Sequence, residues 1–241
     1  GDGDFTTTRN TVATRVNESG LIEEVAANVP RLDYSDGGCP SLLLEPASTN
    51  IVTYSELFDN VYWTKSGSSV TSGFVSPKGD LSAFKLVEDS SNSRHRVGRA
   101  TFASGTERTF SVFVKKGERD YISLFDNNTL SNQLKGVIFD LNNGLLSINN
   151  DTAYYLNPTI KSIGNGWYIC SVTWTPTALS VPSIGSSVDG LTNSYQGDGT
   201  SGIYIFGAQL EENSYATSYI KTVGTTQSRS ADTANGAGNA S

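Results

Sequence analysis

The chain has 241 residues, of which 37% are hydrophobic, 17% are charged and 24 are glycine. This length and composition exclude an intrinsically disordered chain and favour one domain with a distinct arm. The formal net charge of −7 disfavours nucleic acid as a partner, because an acidic surface repels phosphate. No apolar run approaches the roughly 18 residues of a membrane span, so no membrane partner is expected. The absence of methionine predicts a processed product or a part of a longer protein.

Residues 1–50 are predicted to form an irregular N-terminal arm that packs on the main domain. The segment GLIEEVAANVPR predicts one helical turn that ends at Pro30, and SLLLEP predicts a short buried strand. The start, GDGDF, resembles part of a calcium loop but lacks its later ligands, which favours a flexible acidic end. A structural calcium ion held by backbone carbonyls stays open. The apolar contacts expected of the arm are those of Leu21, Ile22, Val25 and Leu42 to Leu44.

Residues 51–228 are predicted to form an antiparallel β-sandwich with jelly-roll connectivity. Short segments such as ERTFSVFVKK, GVIFDL and WYICSVTWT recur between turns rich in Gly, Asn, Asp and Ser. Alternation with period two places Phe110, Val112 and Val114 on one face of their strand. No long helical pattern interrupts, which disfavours α/β architectures. Residues 229–241 are predicted to be a loosely ordered polar tail or a linker.

The segment GIYIFGAQLE poses a question about its faces. Strict alternation puts Ile203 and Ile205 on the same face as Gln209 and Glu211, so that this face turns polar beyond Gly207. Either the strand leaves the core there, or the face borders a cleft or an ion. The turn-like EENSYATSY that follows favours the first interpretation.

Catalytic and metal-binding patterns are scarce. His95 is the only histidine, no GxSxG motif accompanies it, and no strand carries alternating carboxylates. Cys39 and Cys170 permit one disulfide or none, with two unpaired thiols favoured, and no Cys/His cluster suggests zinc. Since a carboxylate pair could still come from different strands, a lyase or glycosidase is kept as the least favoured function.

A sugar site needs an aromatic ring beside planar polar groups. Trp63 in DNVYWTKS is either a structural plug or an exposed platform, and one of the adjacent tyrosines in AYYLN should point outward. The segment SNSRHRVGR holds three arginines and the only histidine within six residues. It is either a solvated edge paired with nearby acids or a basic patch on a sheet face. The candidate ligand-binding residues are Trp63, His95, Arg96, Arg99, Tyr121 and Tyr155.

Four segments in order carry a resemblance to a known module. They are ATRVNESGLIEEVAANVPRLDY, PSLLLEPASTNIVTYSELFDNVYWTKS, GNGWYICSVTW and GDGTSGIYIFGAQLEENSYATSYIKT. Together they resemble a module of phage tail, head-fibre and other virion surface proteins that also occurs beside polysaccharide-degrading enzymes. The resemblance spans about residues 9–232. The chain departs from it at SYIKT, where such modules usually have Pro after the Ile.

The resemblance implies a jelly roll similar to carbohydrate-binding modules and laminin-G-like domains, without known catalysis. The expected function is therefore a non-catalytic, lectin-like module that binds a polysaccharide or cell-surface glycan. It would belong to a virion or to a polysaccharide-active protein, at the virion surface or outside the cell, and could contact other domains there. The alternative is a structural decoration module of a capsid or tail fibre that binds protein only.

Overall fold

Two six-stranded antiparallel sheets form a β-sandwich in a computed structural model, which describes residues 6–99, 102–127 and 136–236. The first sheet has the strand order β15-β14-β13-β18-β11-β7 and the second has the order β16-β17-β12-β20-β9-β8. The strands of the first sheet are β7 (Trp63–Ser66), β11 (Arg96–Arg99), β13 (Tyr121–Asp126), β14 (Val137–Asp140), β15 (Leu145–Asn149) and β18 (Pro182–Ser187). Those of the second are β8 (Ser68–Phe74), β9 (Ala83–Glu88), β12 (Arg108–Lys116), β16 (Leu156–Gly164), β17 (Trp167–Trp174) and β20 (Gly202–Glu211).

The core lies between the two sheets, and the period-two pattern predicted it. Phe110, Val112 and Val114 of β12 are fully buried there, and the inward side chains of the first sheet face them. Each such side chain contributes about 1.5–3 kcal/mol on burial. The all-β sandwich is therefore confirmed, while its jelly-roll connectivity stays a prediction.

A β-bulge in β20 explains why one face of that strand turns polar. The register against β12 pairs Phe113 with Phe206 and Ser111 with Gln209, which leaves an extra residue on β20 between these pairs. Gly207 sits in the bulge with φ of 61°, where a Cβ would come within 3.0 Å of the Phe113 and Tyr219 rings. The bulge shifts the alternation, so Ala208 and Leu210 follow Ile203 and Ile205 into the core.

Gln209 and Glu211 consequently point away from the core, yet both are buried. Glu211 accepts hydrogen bonds from the Ser48 hydroxyl at 2.6 Å and the Thr217 amide at 2.9 Å. Gln209 accepts one from the Ile220 amide at 2.7 Å. The interpretation that β20 leaves the core is wrong, because the segment after the strand folds back and covers its outward face.

The N-terminal region is extended rather than helical. The segment expected to be a helical turn forms β3 (Ile22–Val25), paired with β2 (Ala13–Val16) in a hairpin. Arg15 lies directly opposite Glu23 in this ladder, and their side chains form an ion pair at 2.6 Å. Such cross-strand pairing, together with β-branched residues on both strands, outweighs the weak propensity of one isolated turn.

The hairpin packs on the outward face of the second sheet. Val16 and Ile22 join Phe113, Trp167 and Phe206 in a second apolar cluster. Val25 is also buried and Leu21 is half-buried. The expected burial of SLLLEP is wrong for two of its leucines, since Leu42 and Leu44 are exposed and only Leu43 is half-buried.

Five two-stranded ladders complete the described fold. The prediction of a loosely ordered tail at 229–241 is wrong for the first part of this segment, because two of these ladders pair it with the N-terminal region. Residues 237–241 lie outside the described residues. Besides β2–β3, the ladders pair β1 (Thr6–Thr8) with β22 (Thr233–Asn235), β4 (Leu32–Asp33) with β5 (Ser41–Leu42), β6 (Ser48–Asn50) with β21 (Gln227–Arg229) and β10 (Asn92–Ser93) with β19 (Tyr195–Gln196).

A buried ion cluster joins the two ends of the described chain. We call Arg9, Arg31, Glu45, Arg229 and Asp232 the terminal ion cluster. Asp232 pairs with Arg9 at 2.9 Å and with Arg31, while Glu45 pairs with Arg31 at 2.8 Å and with Arg229 at 3.4 Å. The three arginines are 1–2% exposed. Ion pairs thus connect the N-terminal arm to residues 229–232 near the other end of the chain.

Both cysteines are free, so the expectation of unpaired thiols is confirmed. Cys39 is exposed, whereas Cys170 is buried in the core, and this burial raises the pKa of its thiol. Among the described residues no helix is long and apolar enough to cross a membrane.

Acid should destabilise the fold through two buried carboxylates. Burial alone would raise the pKa of Glu88 and of Asp232, but hydrogen bonds from Arg119 and Tyr195 to the first, and from Arg9 and Arg31 to the second, lower both overall. A lowered folded-state pKa gives stability that is present above the unfolded values of 4.5 and 3.8 and is lost as the pH falls through the folded values.

We therefore expect the melting temperature to fall as the pH is lowered from about 5 to 2.5. Differential scanning calorimetry across this range measures it. The variant Glu88→Gln should show a shallower decline, because it removes one of the buried carboxyl groups that titrate in this range. A wild-type melting temperature that stays constant to pH 2.5 would contradict the expectation.

Candidate ligand-binding face

The side of the first sheet that faces away from the second sheet carries polar side chains. Val97, Ile122, Leu124 and Ile184 point into the core, so the residues alternating with them point outward. We call these outward residues of β11, β13 and β18 the polar face: Arg96, Gly98, Tyr121, Ser123, Phe125, Ser183, Gly185 and Ser187. The strand register places Arg96 opposite Gly185 and Gly185 opposite Ser123.

Two arginines cover the middle of the polar face. The Arg94 guanidinium lies 4.6 Å from the Phe125 ring centroid, and its Nη1 donates a hydrogen bond of 2.9 Å to the Asn127 side-chain oxygen. Arg96 Nη1 donates a long hydrogen bond of 3.4 Å to the Ser183 hydroxyl. Among the described residues, neither guanidinium has an ion-pairing carboxylate. The face therefore carries two unneutralised positive charges.

The guanidinium groups of Arg94 and Arg96 are both partly removed from water. Burial lowers the pKa of Arg94 to about 10, and the charge of Arg96 acts in the same direction. Burial also lowers the pKa of Arg96. Both guanidiniums remain charged at neutral pH, but water solvates them poorly, which strengthens their attraction for an anionic or strongly polar ligand.

Glycine provides the space for these arginines. A Cβ on Gly98 would lie 2.8 Å from Arg96 Nη1 and 2.4 Å from the Ser183 hydroxyl oxygen. A Cβ on Gly185 would lie 3.2 Å from the Phe125 ring. The Arg96 guanidinium can lie over Gly98 only because this position has no side chain, whereas the missing side chain of Gly185 makes room for the Phe125 ring.

Buried polar atoms without a protein partner lie beside Phe125. Ser123 is fully buried, and among the described residues its hydroxyl has no hydrogen-bond partner. Asn193 is 2% exposed. Among the described residues, neither the nitrogen nor the oxygen of its side-chain amide has a hydrogen-bond partner. A Cβ on Gly136 would lie 3.2 Å from the Asn193 nitrogen, 3.2 Å from the Ser123 oxygen and 3.1 Å from Phe125 Cβ. These groups thus form one cluster.

The predicted site residues separate into two sets, and the polar face holds Arg96 and Tyr121. Tyr121 is half-buried at the start of β13, where its ring packs against Gly190 so closely that a Cβ there would lie 2.7 Å away. It is two strands from Arg96 in the sheet order. Strand spacing puts the two Cα atoms about 12 Å apart. Tyr121 can therefore border a ligand that Arg96 contacts.

His95 and Arg99 do not lie on the polar face. His95 is fully buried, with its Nδ1 2.5 Å from the Gly67 carbonyl oxygen and its Nε2 3.1 Å from the Tyr195 carbonyl oxygen. Arg99 points to the opposite side of β11 and stacks on the Tyr62 ring at 4.0 Å. His95 therefore does not contact a ligand on the polar face.

Trp63 and Tyr155 are buried and cannot stack on a sugar without unfolding. Trp63 is 1% exposed, and its indole nitrogen donates to the Tyr54 carbonyl at 2.9 Å. Tyr155 is 1% exposed, and its hydroxyl accepts a hydrogen bond from the Asp126 amide at 2.9 Å. Of the two interpretations of Trp63, the structural plug is the one that the structure shows.

Sequence reasoning missed Arg94, Ser123 and Asn193. Arg94 was within reach of a sequence argument, because it lies in SNSRHRVGR and shares the outward face with Arg96 by period two. Ser123 alternates with core residues of β13 and carries no further signal. Asn193 lies in the loop between β18 and β19, and nothing in its local sequence places it against β13.

A cavity of about 200 Å³ lies between the N-terminal hairpin and the second sheet, away from the polar face. Its floor is apolar, with Val16, Phe113 and Ile163. The charged groups on its rim are paired within the protein, as in Arg15 with Glu23 and Lys161 with Asp36. It offers shape without free polar contacts, so the polar face is the better candidate.

Comparison with known proteins identifies no family. No protein-family model and no curated protein matches the chain. Within the described ranges, no group of three or more His, Cys, Asp or Glu side chains could hold a metal ion. A calcium ion held by backbone carbonyls stays a prediction.

Proposed function

We propose that the protein is a non-catalytic polysaccharide-binding module whose glycan lies across the polar face of the first sheet. The observation that carries the proposal is the pair Arg94 and Arg96, which in an acidic protein occupy a sheet face without a carboxylate partner among the described residues. Guanidinium groups bind paired sugar oxygens, and Arg94, Arg96 and Tyr121 are the side chains of this region that stay partly accessible. The resemblance to virion surface modules supports a place within a larger virion or polysaccharide-active protein.

Tyr121 is the residue that would stack on a sugar ring at the edge of the face. Its ring is held by Gly190 and is partly accessible. A rigid aromatic ring of this kind loses little conformational freedom on binding. This assignment gives the proposal a specific test.

Affinity electrophoresis and a glycan array test the function. We expect at least one polysaccharide to retard the wild-type protein, and Tyr121→Ala to weaken that binding about 2- to 10-fold, the size of one aromatic stacking contact. Tyr215→Ala is the matched control, because Tyr215 is 51% exposed and lies outside the polar face. An array without any binding by the wild type would refute the proposal.

A structural decoration module that binds only protein is the second candidate. Leu145 and Leu146 are 62% and 43% exposed on the edge strand β15, and Leu191 is 57% exposed. The Asn150 side chain donates to the Leu191 carbonyl at 3.3 Å, which places this leucine beside the edge. An exposed apolar strand edge can pair with another chain. Light scattering that shows a stable oligomer, abolished by Leu145→Lys, would favour this function.

A further inference from the structure

We propose that Arg94, Arg96, Ser123 and Asn193 form a subsite for an oxyanion substituent, so that the glycan bound by the protein is an acidic one. The substituent is a carboxylate or a sulfate ester, since each can present two oxygens to a guanidinium. This inference rests on the proposed function, because it specifies the ligand at the same face.

Arg94 and Arg96 differ in their ion pairing from the arginines outside their segment. Each of the six arginines outside the SNSRHRVGR segment forms an ion pair with a carboxylate in the structure. Arg94, Arg96 and Arg99 form none within the described part of the chain, and Arg99 instead stacks on Tyr62. In a chain with net charge −7, acidic partners are abundant. The lack of one at the polar face therefore indicates that an external anion takes this place.

Hydrogen-bond donors without a partner among the described residues lie around Phe125. Two nitrogens of Arg94, Nε and Nη2, are buried without a hydrogen-bond partner among the described residues, as are the Ser123 hydroxyl and the Asn193 amide. Buried polar atoms in folded proteins are nearly always paired. Nε and an Nη of one guanidinium form the fork that holds two oxygens of a carboxylate or sulfate. The hydroxyl and the amide nitrogen lie beside Phe125, whose ring the Arg94 guanidinium covers, and they are further donors for an anion there.

The charges of Arg94 and Arg96 also favour an anion as the ligand. Arg94 and Arg96 are close enough for the charge of one to disfavour the charge of the other. A neutral sugar hydroxyl would leave this repulsion in place, whereas an anion between the guanidiniums would relieve it. The ligand that satisfies both the unused donors and the charges is negatively charged.

Binding to three probes tests the subsite: a polyuronate (alginate), a sulfated galactan (carrageenan) and a neutral β-glucan (laminarin). We expect one or both acidic polymers to bind and the neutral one to bind at least tenfold more weakly, with affinity for the acidic polymer falling as salt is added. Arg94→Gln and Arg96→Gln should each weaken acidic binding about 10- to 100-fold, the range for a hydrogen bond to a charged group. Alginate and carrageenan together distinguish the carboxylate from the sulfate.

Two further variants separate binding from folding. Asn193→Asp keeps the shape of the side chain but adds a negative charge to the cluster around Phe125, so it should abolish acidic binding, and its melting temperature shows whether the variant is folded. Arg15→Gln is the matched control, since it removes an arginine from the N-terminal hairpin and should leave affinity unchanged. Laminarin bound as tightly as the acidic polymers, or Arg94→Gln, Arg96→Gln and Asn193→Asp variants that bind like the wild type, would overturn the subsite.

A small-molecule titration distinguishes this failure from failure of the proposed function. Sodium glucuronate and sodium sulfate are added while the Arg94 Nε–Hε signal is followed by NMR. A saturable shift that Asn193→Asp removes supports the subsite, even when no polysaccharide binds and the proposed function falls. Absence of any shift with either anion refutes the subsite, even when a neutral polysaccharide binds and the proposed function stands.

Discussion

Replacing Asp232 by alanine is expected to lower the free energy of unfolding by about 3–5 kcal/mol, because it removes one partner of a buried ion pair. Asp232 contacts Arg9 and Arg31, and its side chain is 4% exposed. Without it, buried guanidinium groups keep their charge but lose half of their acidic partners. For a protein of this size the melting temperature should fall by about 6–20 °C. Thermal and urea unfolding measure the effect.

The control is Asp36→Ala. Asp36 also forms an ion pair, with Lys161 at 2.6 Å, but the two side chains are 74% and 46% exposed. Exposed pairs contribute about 0–1 kcal/mol, so this variant should melt close to the wild type. If Asp232→Ala and Asp36→Ala melted alike, the terminal ion cluster would not hold the chain ends together, and the segment from Arg229 onward would behave as the linker expected from its composition.

The terminal ion cluster shows what local sequence patterns cannot reveal. RSADTANGAGNAS is small and polar, and such composition predicts a loose tail. Asp232 is nevertheless buried, because Arg9 and Arg31 reach it from the other end of the chain, 223 and 201 residues away in sequence. A single sequence contains no signal for a pairing at that separation. The same limit applies to Gln209 and Glu211, whose cover comes from a chain reversal after the strand.

The sandwich itself was predictable because its strands bury one face at a time. The alternation of Phe110, Val112 and Val114 with period two predicts a strand with one buried face. All three side chains lie in the core of the structure. The pattern misleads where a bulge interrupts it. In β20 the extra residue at Gly207 changes the parity, so residues four apart, such as Ile205 and Gln209, end on opposite faces. Glycine within a strand was the available signal, but it does not say which register results.

The candidate site was predictable in part for the same reason. Alternation with period two separates Arg96 from Val97 and Arg99, and it holds in the structure because β11 has no bulge in its ladders. The aromatic residues were harder to place. Trp63 begins an edge strand whose next residues are exposed or half-buried, so its neighbours look like surface although the ring itself is in the core. Polar neighbours therefore say little about one side chain of an edge strand.

The position of Trp63 leads to the second large effect. Its ring packs against Phe58 and Tyr62 at centroid distances of 5.1 and 5.4 Å, and its indole nitrogen donates to the Tyr54 carbonyl. Trp63→Ala should lower the free energy of unfolding by about 3–5 kcal/mol, through lost burial and the cavity that remains. The corresponding drop in melting temperature is about 6–20 °C.

The variant Trp63→Phe provides a second test in case Trp63→Ala does not fold. It keeps most of the apolar volume but removes the hydrogen bond to the Tyr54 carbonyl, at a cost of about 0.5–1.5 kcal/mol. Glycan affinity of the folded fraction should equal that of the wild type, because Trp63 lies inside the sandwich and not on the polar face. Tyr121→Ala should show the reverse, with weaker binding and little change in melting. If Trp63→Phe abolished glycan binding while its melting temperature stayed at the wild-type value, the ring would have to face the ligand, and the inward orientation of β7 would be wrong.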